Sequence, residues 1–320
     1  MSNADWTSVE SGYAHSFSDC RPGAVWDWRF QRQMPRQAGW RGCICPTPDG
    51  HDVAAFIGGS LHRGWLAGSD ICIVLSRDSF THPSWRALAN GRRGLFARTE
   101  EAFHQACKTE AALCLGIGLD RRVRLGALLG VSTPYPGGQW YRREIEHEPP
   151  TAGHSCTVLP TDFHELHWNE LWHVRRSRVR MSLVRDANFL AWRFSDQHGN
   201  AYWRFGLHGL DSQTPLGYLA LTMAEPNRAI LVDAILPESV QQARDGLRQI
   251  NRWLFSRGVR WVDTFCGVAC PEKSTWTALG FRSISPPLPV MPVYRIYDPS
   301  ISDLRFVQDY AFTLADSDLF

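Results

Sequence analysis

One short stretch of the chain carries side chains well suited to bind an anion. Its residues are Arg86, Gly91, Arg92, Arg93 and Gly94, and a helical pattern follows at once. Arginine can pair two N–H groups with a phosphate, and glycine lets the backbone approach it closely. A helix N-terminus adds unpaired N–H donors and a favourable dipole. The stretch predicts a phosphate cradle, and a glycine-rich surface turn with solvated arginines is the alternative.

A second group of reactive side chains lies in the middle of the chain. The sequence DFHELHWNELWH places His164, His167 and Trp168 near one face of a helix. It lacks the HExxH order in which two histidines one turn apart bind zinc. We therefore interpret it as an amphipathic linker helix.

Cysteine usage gives little support for a metal site. The chain has nine cysteines, scattered among apolar neighbours. Cys43 and Cys45, and likewise Cys266 and Cys270, lack the two-residue spacing of zinc knuckles. We expect no metal and a reducing compartment.

Length and charge narrow the class of protein. At 320 residues the chain fits two domains of about 150 residues. Its formal net charge of +2 gives no general attraction for nucleic acid, so nucleic acid is not an expected partner. No apolar run reaches the roughly 20 residues that cross a bilayer, and the first residues do not resemble a signal peptide. We expect a cytoplasmic protein without a membrane span.

Alternating and helical hydrophobic patterns predict the same order of elements in both halves of the chain. The first half has antiparallel strands, a helix, a strand, a short helix and a last strand. The last of the antiparallel strands covers residues 69–80, and the four elements after it cover residues 92–111, 112–118, 120–130 and 135–145. The second half repeats this order, with strands and helices in residues 200–207, 215–224, 228–236, 240–258, 259–268, 272–280 and 290–298.

Two short motifs recur with these elements. The trio Trp-Arg-Phe stands at 28–30 and again at 192–194, and a Leu-Gly pair ends the short helix at 129–130 and at 279–280. Two anchors in the same order predict a duplicated domain. Because both halves keep the trio, we interpret it as structural, with a tryptophan–arginine stack that holds the first helix on the sheet.

These patterns predict the following domain organisation. The residue ranges are 1–19 for an N-terminal segment, 20–148 for the first domain, 149–160 for a Pro- and Gly-rich linker, 161–299 for the second domain and 300–320 for a tail that caps one domain.

The order of elements resembles that of the GNAT superfamily of acyltransferases, in a tandem form. The chain is similar to bacterial double-domain acetyltransferase-like proteins of polysaccharide and cell-envelope biosynthesis. The matching residues are Trp28 to Phe30, Thr81 to Pro83 with Arg86, Arg185 and Asp186 with Trp192 to Phe194, and Asp316 to Asp318. The expected fold is α/β (α+β), with two GNAT-like domains that each have a mixed, mostly antiparallel twisted sheet flanked by helices.

The resemblance implies that acetyl-CoA or another acyl-CoA is the co-substrate. In this family the central strand and its parallel neighbour splay apart around the pantetheine, and the next helix N-terminus receives the pyrophosphate. The implied acyl-CoA-binding residues are Val74, Arg86, Gly91, Arg92, Arg93 and Gly94.

The second domain is expected to have lost this site. Its equivalent stretch, ILVDAILPESVQQA, has neither glycine nor a basic residue, and Glu238 would repel a phosphate. The resemblance therefore implies that only the first domain binds acyl-CoA.

Acyl transfer needs a base and an acid, often a carboxylate and a tyrosine. The implied candidates are Asp70, which enters the central strand, and Tyr135 or Tyr141, which follow the short helix. The alternative is a turn aspartate and two packing tyrosines.

The implied function is N-acylation of an amine on a small molecule, a sugar or an envelope precursor. The alternatives are a non-catalytic GNAT-fold binding or assembly protein and a Fem-like aminoacyl transferase. The sequence leaves a homodimer open.

Overall fold

The computed structural model describes residues 3–18, 23–30, 40–47, 52–88, 94–147, 154–196, 201–210, 214–317 and 319. The chain forms two compact units. Unit 1 contains residues 1–64, 70–135 and 289–303, and unit 2 contains residues 65–69, 136–288 and 304–320.

The elements of the first half, in chain order, are α1 (Asn3–Phe17), α2 (Gly23–Phe30), β1 (Trp40–Pro46), β2 (Val53–Leu66), β3 (Ser69–Thr81), a 3₁₀ helix (Pro83–Leu88), α3 (Leu95–Cys107), β4 (Leu113–Leu119), α4 (Asp120–Leu129), β5 (Thr133–Pro134) and β6 (Gly138–Glu144).

The elements that follow are β7 (Cys156–Pro160), α5 (His167–Arg176), β8 (Met181–Leu183), α6 (Ala187–Arg193), β9 (Tyr202–Gly209), β10 (Pro215–Glu225), β11 (Arg228–Ile235), α7 (Val240–Ser256), β12 (Trp261–Gly267), α8 (Lys273–Ala278), β13 (Arg282–Ile284), β14 (Val290–Ile296), α9 (Asp303–Asp309) and a 3₁₀ helix (Leu314–Asp316).

Each unit is built around a mixed sheet. The strand order in unit 1 is β1-β2-β3-β4-β14-β5, and in unit 2 it is β13-β6-β12-β11-β10-β9-β7. The described pairs are mostly antiparallel, and β3 with β4 and β11 with β12 are parallel. The amphipathic helices α3 and α7 each connect the two strands of such a parallel pair, as a parallel connection requires. This architecture confirms the expected fold class.

The last strands of the two halves are exchanged between the units. β6, which the sequence pattern assigned to the end of the first domain, pairs with β12 and β13 in unit 2. β14, assigned to the end of the second domain, pairs with β4 and β5 in unit 1. The predicted boundaries 20–148 and 161–299 assumed two continuous domains, whereas both units are discontinuous in sequence.

The predicted linker contains a strand. Residues 156–160 form β7, which pairs with β9 at the edge of the sheet in unit 2. Pro160 ends this strand, where an edge position tolerates the missing N–H. The second half therefore begins with a strand, and the helix that follows it, α5, begins at His167.

Three helices are followed by a glycine in the left-handed conformation. Gly130 adopts φ 73° directly after α4, and Gly258 and Gly280 adopt φ 82° and 87° after α7 and α8. This left-handed conformation favours glycine and satisfies carbonyl groups of the last helical turn.

Both Trp-Arg-Phe trios anchor their units, although by different contacts. In unit 1, Arg29 forms an ion pair with Asp78 at 2.8 Å, and the cation that lies over the Trp28 ring belongs to Arg77. In unit 2, Arg193 is fully buried and donates hydrogen bonds to the carbonyl of Ala315 and the hydroxyl of Tyr202. In both units these contacts of the trio lie within the unit's own structure, as expected for a structural role.

Candidate functional site

The two parallel strands of unit 1 are paired over only part of their length. The β3–β4 ladder runs from Ile73 opposite Leu113 to Leu75 opposite Leu115. β3 continues to Thr81 and β4 to Leu119, beyond the last paired residues. Backbone N–H and C=O groups in these distal halves are therefore available to a ligand that enters as an extra strand.

A cavity of about 810 Å³ lies at the distal ends of β3 and β4. This volume is within the range of small-molecule and cofactor sites. The lining residues are Phe17, Ser79, Phe80, Thr81, Arg86, Phe96, Leu119, Arg121, Arg122 and Leu125. An apolar wall with three guanidinium groups suits a ligand that joins an apolar arm to phosphates.

Two of the three arginines are held in place by contacts within unit 1. Arg86 donates from Nε to the carbonyl of Thr81 at 3.0 Å. Arg122 donates to the carboxylate of Glu100 and, at 3.3 Å, to the hydroxyl of Ser79. Arg121 is exposed at the cavity wall. A guanidinium that is held in advance loses less entropy when it binds a phosphate.

The first helical turn of α3 adds a second anion-binding feature. Its N-cap is Gly94, which has an extended conformation and makes no side-chain capping bond. The N-cap of α7 in unit 2 is instead Ser239, whose hydroxyl accepts from the N–H of Gln242. Within the part of the chain that the structure describes, no N-cap side chain bonds to the first N–H groups of α3, and such groups are donors that a phosphate can use.

The predicted acyl-CoA-binding residues are only partly described. Arg86 lines the cavity, and Gly94 caps α3. Val74 lies in the paired part of β3 with its side chain buried in the core, so only its strand contributes to the site. Gly91, Arg92 and Arg93 lie outside the described residues.

The three predicted catalytic residues are divided between the units, with Asp70 and Tyr135 in unit 1 and Tyr141 in unit 2. Asp70 lies at the opposite end of β3 from the cavity, about 30 Å from Ser79 at the usual rise of a strand, and forms an exposed ion pair with Arg63. Tyr141 belongs to β6 in unit 2, where burial raises its pKa.

Tyr135 has the most suitable position of the three. It is buried in unit 1, and its N–H donates to the carbonyl of Pro292 on β14. Pro292 lies opposite Ile117, in the half of β4 that is not paired with β3. Tyr135 therefore lies beside β14, which separates it from β4, the strand that borders the cavity.

Sequence reasoning missed Arg121 and Arg122. They stand at the start of α4, immediately after the strand that borders the cavity. Two adjacent arginines on a helix normally indicate a solvent-exposed face. Their position directly after the β4 pattern was the available signal.

A buried polar cluster supports this side of the cavity. Burial raises the pKa of the Glu100 carboxyl, and the Arg122 guanidinium partly offsets that effect. Burial, together with the charge of Arg295, lowers the pKa of His104 to about 3. His104 is therefore neutral at physiological pH, and the Tyr297 hydroxyl hydrogen-bonds its Nδ1 at 2.6 Å.

The equivalent cleft in unit 2 is closed by the chain itself. The β11–β12 ladder ends at Leu231 and Thr264, and the space beyond it is a cavity of about 10 Å³. The tail occupies the cleft: the carbonyl of Phe312 accepts from the N–H of Gly267 at 2.8 Å, and Thr313 lines the remaining space.

A buried ionic network holds the tail there. Arg185 donates to Asp233 at 2.9 Å and to Asp316 at 2.7 Å. Thr313 donates to Asp233 and receives a bond from Arg185. The Tyr218 hydroxyl also donates to Asp233, at 2.6 Å. All of these contacts lie within unit 2.

Each of the two sheets has a parallel pair joined by an amphipathic helix, and this is the arrangement expected of a tandem GNAT fold. No protein-family model matches the chain, and no curated protein matches it.

Solved structures do match. A probable N-acyltransferase from Enterococcus faecalis matches with a TM-score of 0.64 at 11% identity, over 93% of this chain and 71% of that chain. A GCN5-related N-acetyltransferase from Anabaena variabilis matches with a TM-score of 0.64 at 10% identity, over 92% and 71%. A tandem GNAT protein from the clavulanic acid biosynthesis pathway matches with a TM-score of 0.55 at 15% identity, over 93% and 97%. The protein therefore has the fold of tandem GNAT N-acetyltransferases.

Two further features concern ligands and membranes. Among the described residues, no group of three or more His, Cys, Asp or Glu side chains is placed to hold a metal ion. Within the same part of the chain, every helix is too short or too polar to cross a membrane.

Proposed function

We propose that the protein is an acyl-CoA-dependent N-acyltransferase that binds acetyl-CoA or another acyl-CoA in the cavity of unit 1. One observation carries this proposal: the cleft of unit 1 is open, about 810 Å³, and bears three arginines, whereas the cleft of unit 2 is filled by the tail. The acyl-CoA would place its pantetheine arm between β3 and β4 and its phosphates near Arg86, Arg121 and Arg122.

The proposed reaction needs few charged groups. The acceptor nitrogen attacks the thioester carbonyl, the C–S bond breaks, the nitrogen loses a proton and the thiolate gains one. Holding the two reactants together supplies much of the rate enhancement. For the acceptor we propose a small-molecule amine, with an amine on a sugar or an envelope precursor as the class that the family resemblance suggests.

We expect Arg121→Ala to weaken acetyl-CoA binding about tenfold, because a charge-assisted bond to phosphate contributes roughly 1.5 kcal/mol. Isothermal titration calorimetry at low ionic strength measures this directly. The matched control is Arg124→Ala on the same helix, since Arg124 is exposed and paired with Asp120. The control should bind like the unmodified protein.

Three results would contradict the proposal. Absence of binding of both acetyl-CoA and longer acyl-CoAs by the unmodified protein at millimolar ligand would exclude the transferase function. Equal binding by the Arg121 and Arg124 variants would exclude this cavity as the phosphate site. Binding without turnover of any amine would favour the alternative of a non-catalytic GNAT-fold protein.

We assign to Tyr135 the protonation of the thiolate, and we expect Tyr135→Phe to lower kcat about tenfold with acetyl-CoA affinity unchanged. The expected effect is modest because a thiol of pKa about 8.5 is already a good leaving group. Steady-state assays with a colorimetric thiol reagent measure it. Asp70→Asn should leave kcat unchanged, since Asp70 lies at the far end of β3. A larger loss for Asp70→Asn than for Tyr135→Phe would reverse the assignment.

A further inference from the structure

Two histidines lie side by side at the edge of the cavity in unit 1. Their ring centroids are 5.4 Å apart. His15 belongs to the last turn of α1, and His82 follows β3 directly. Phe17 lies two positions after His15 and Thr81 directly before His82, and both of these neighbours line the cavity. His15 is exposed and His82 is partly exposed, so both residues have surface that a ligand can reach.

Arg86 joins the two segments that carry these rings. Its Nε donates to the carbonyl of Thr81 at 3.0 Å, and a terminal nitrogen donates to the carbonyl of Ser16 at 3.3 Å. These bonds use two of the five N–H groups of the guanidinium. The side chain is exposed and lines the cavity, so its remaining N–H groups are available to a ligand.

The group formed by Arg86, His15 and His82 has no carboxylate partner among the described residues. Other arginines of unit 1 do form ion pairs with carboxylates, namely Arg29 with Asp78, Arg63 with Asp70, Arg122 with Glu100, Arg124 with Asp120 and Arg295 with Glu101. One positive charge and two imidazoles that can acquire a charge are thus placed together without an acid. An anionic ligand would supply the opposite charge.

Hydrogen bonds at Nδ1 fix the chemical role of each Nε2. A carbonyl only accepts, so Nδ1 of His15, which lies 2.8 Å from the carbonyl of Ser11, carries the hydrogen, and Nε2 of the neutral ring is an acceptor. A backbone N–H only donates, so Nδ1 of His82 accepts from Ser84 at 3.3 Å, and Nε2 of the neutral ring carries the hydrogen. The pair of rings therefore offers one acceptor and one donor.

This combination suits a phosphomonoester better than other anions. Near neutral pH a phosphomonoester is partly a monoanion that still carries one hydrogen, since its second pKa is about 6. Its charged oxygens can accept from Arg86 and from Nε2 of His82, and its hydroxyl can donate to Nε2 of His15. The dianion fits equally when His15 holds that proton instead. A carboxylate or a sulfate carries no such hydrogen at this pH.

We propose that Arg86, His82 and His15 bind a phosphomonoester, which in the co-substrate proposed above is the 3′-phosphate of acyl-CoA. The inference rests on the proposed function and deepens it, because it assigns separate residues to separate phosphates. Arg121, Arg122 and the N-terminus of α3 remain for the pyrophosphate.

The test compares CoA with 3′-dephospho-CoA, which differ only in this group, by isothermal titration calorimetry on the full chain at neutral pH. We expect the unmodified protein to bind CoA at least about tenfold more tightly, because charge-assisted hydrogen bonds are lost with the phosphate. His82→Asn should weaken CoA binding about fivefold and leave dephospho-CoA binding unchanged. The asparagine oxygen can still accept from the N–H of Ser84, so the variant removes Nε2 and keeps the local turn.

Two further variants serve as controls. His82→Gln carries a side-chain N–H group near the position of Nε2 and should restore part of the affinity for CoA. His164→Asn changes an exposed imidazole in unit 2 and should bind both ligands like the unmodified protein.

The outcomes separate this proposal from the one on which it rests. Equal affinities for CoA and dephospho-CoA would overturn the phosphomonoester subsite and leave acyl-CoA binding intact. Equal weakening of both ligands by His82→Asn would also overturn it, since such a result indicates only a structural role for the ring. Binding of neither ligand would contradict the proposed function itself, and this inference with it.

Discussion

Replacing Asp316 by alanine is expected to lower the free energy of unfolding by about 3–5 kcal/mol, the usual cost of removing one partner from a buried ion pair. Asp316 is fully buried in the tail of unit 2. It accepts from Arg185 at 2.7 Å and from the N–H of Thr313 at 2.8 Å. Urea denaturation followed by circular dichroism and tryptophan fluorescence measures the change.

The size of this effect follows from what the alanine leaves behind. The Arg185 guanidinium remains buried with one carboxylate, Asp233, where it had two. Burial raises the pKa of the Asp316 carboxyl, and the charge of Arg185 opposes that rise. The charge of Arg185 therefore favours the ionised form of the Asp316 carboxyl, and that carboxylate in turn compensates the buried charge of Arg185.

Two variants make this prediction specific. Asp316→Asn keeps one acceptor and should lose less than Asp316→Ala. Asp196→Ala removes the partner of Arg204 in a pair whose aspartate is 71% exposed, and should cost less than about 1 kcal/mol. Similar losses for Asp316→Ala and Asp196→Ala would show that the network does not hold the tail.

Local sequence patterns predicted the elements of this fold but not the partners of two strands. Gly130 and Gly280 could be located because a helix end in the left-handed conformation favours glycine. β6 and β14 could be recognised as strands, yet each half of the chain ends in one and either sheet could accept either strand. Pairing partners depend on long-range packing, which hydrophobic periodicity does not record.

Composition also misassigned a segment. Residues 156–160 follow a Pro- and Gly-rich stretch and were predicted as linker, but they form the edge strand β7. An edge strand pairs on one side only, so its sequence need not show a strong strand pattern.

Part of the candidate site could be predicted from local sequence, whereas the rest depends on contacts between residues that are far apart in the chain. Arg86 and Gly94 could be recognised because arginine and glycine near a helix start have a known chemistry with phosphates. Arg122 could not, because its place at the cavity is set by Glu100, which is 22 positions away in the sequence. The closed cleft of unit 2 depends likewise on Asp316, 131 positions from Arg185.

Acidification provides the second large effect, and His104 in unit 1 is its source. Burial lowers the folded-state pKa of His104 to about 3, below an unfolded value of about 6.5. The unfolded chain therefore takes up a proton below pH 6.5, whereas the folded protein does so only near pH 3. The stability that neutral His104 contributes is complete above pH 6.5 and is lost as the pH falls towards 3.

Between about pH 7 and about pH 4.5, we expect the His104→Asn variant to lose about 2 kcal/mol less stability than the unmodified protein. Asparagine keeps a hydrogen-bonding group for the Tyr297 hydroxyl without titrating. Urea denaturation at both pH values measures the difference, and His164→Asn, which changes an exposed imidazole, should behave like the unmodified protein.

Charged groups near His104 also affect how the stability changes with pH. Glu100 lies 3.7 Å from Nε2, and Arg295, Glu101 and Arg122 supply the other charges that act on the ring. Because burial raises the pKa of Glu100, its protonation at low pH favours the folded state and opposes the effect of His104. Both proteins retain Glu100, so the difference between their pH dependences measures the imidazole together with its coupling to Glu100. Equal losses in the two proteins would show that His104 takes up its proton as readily in the folded state as in the unfolded chain.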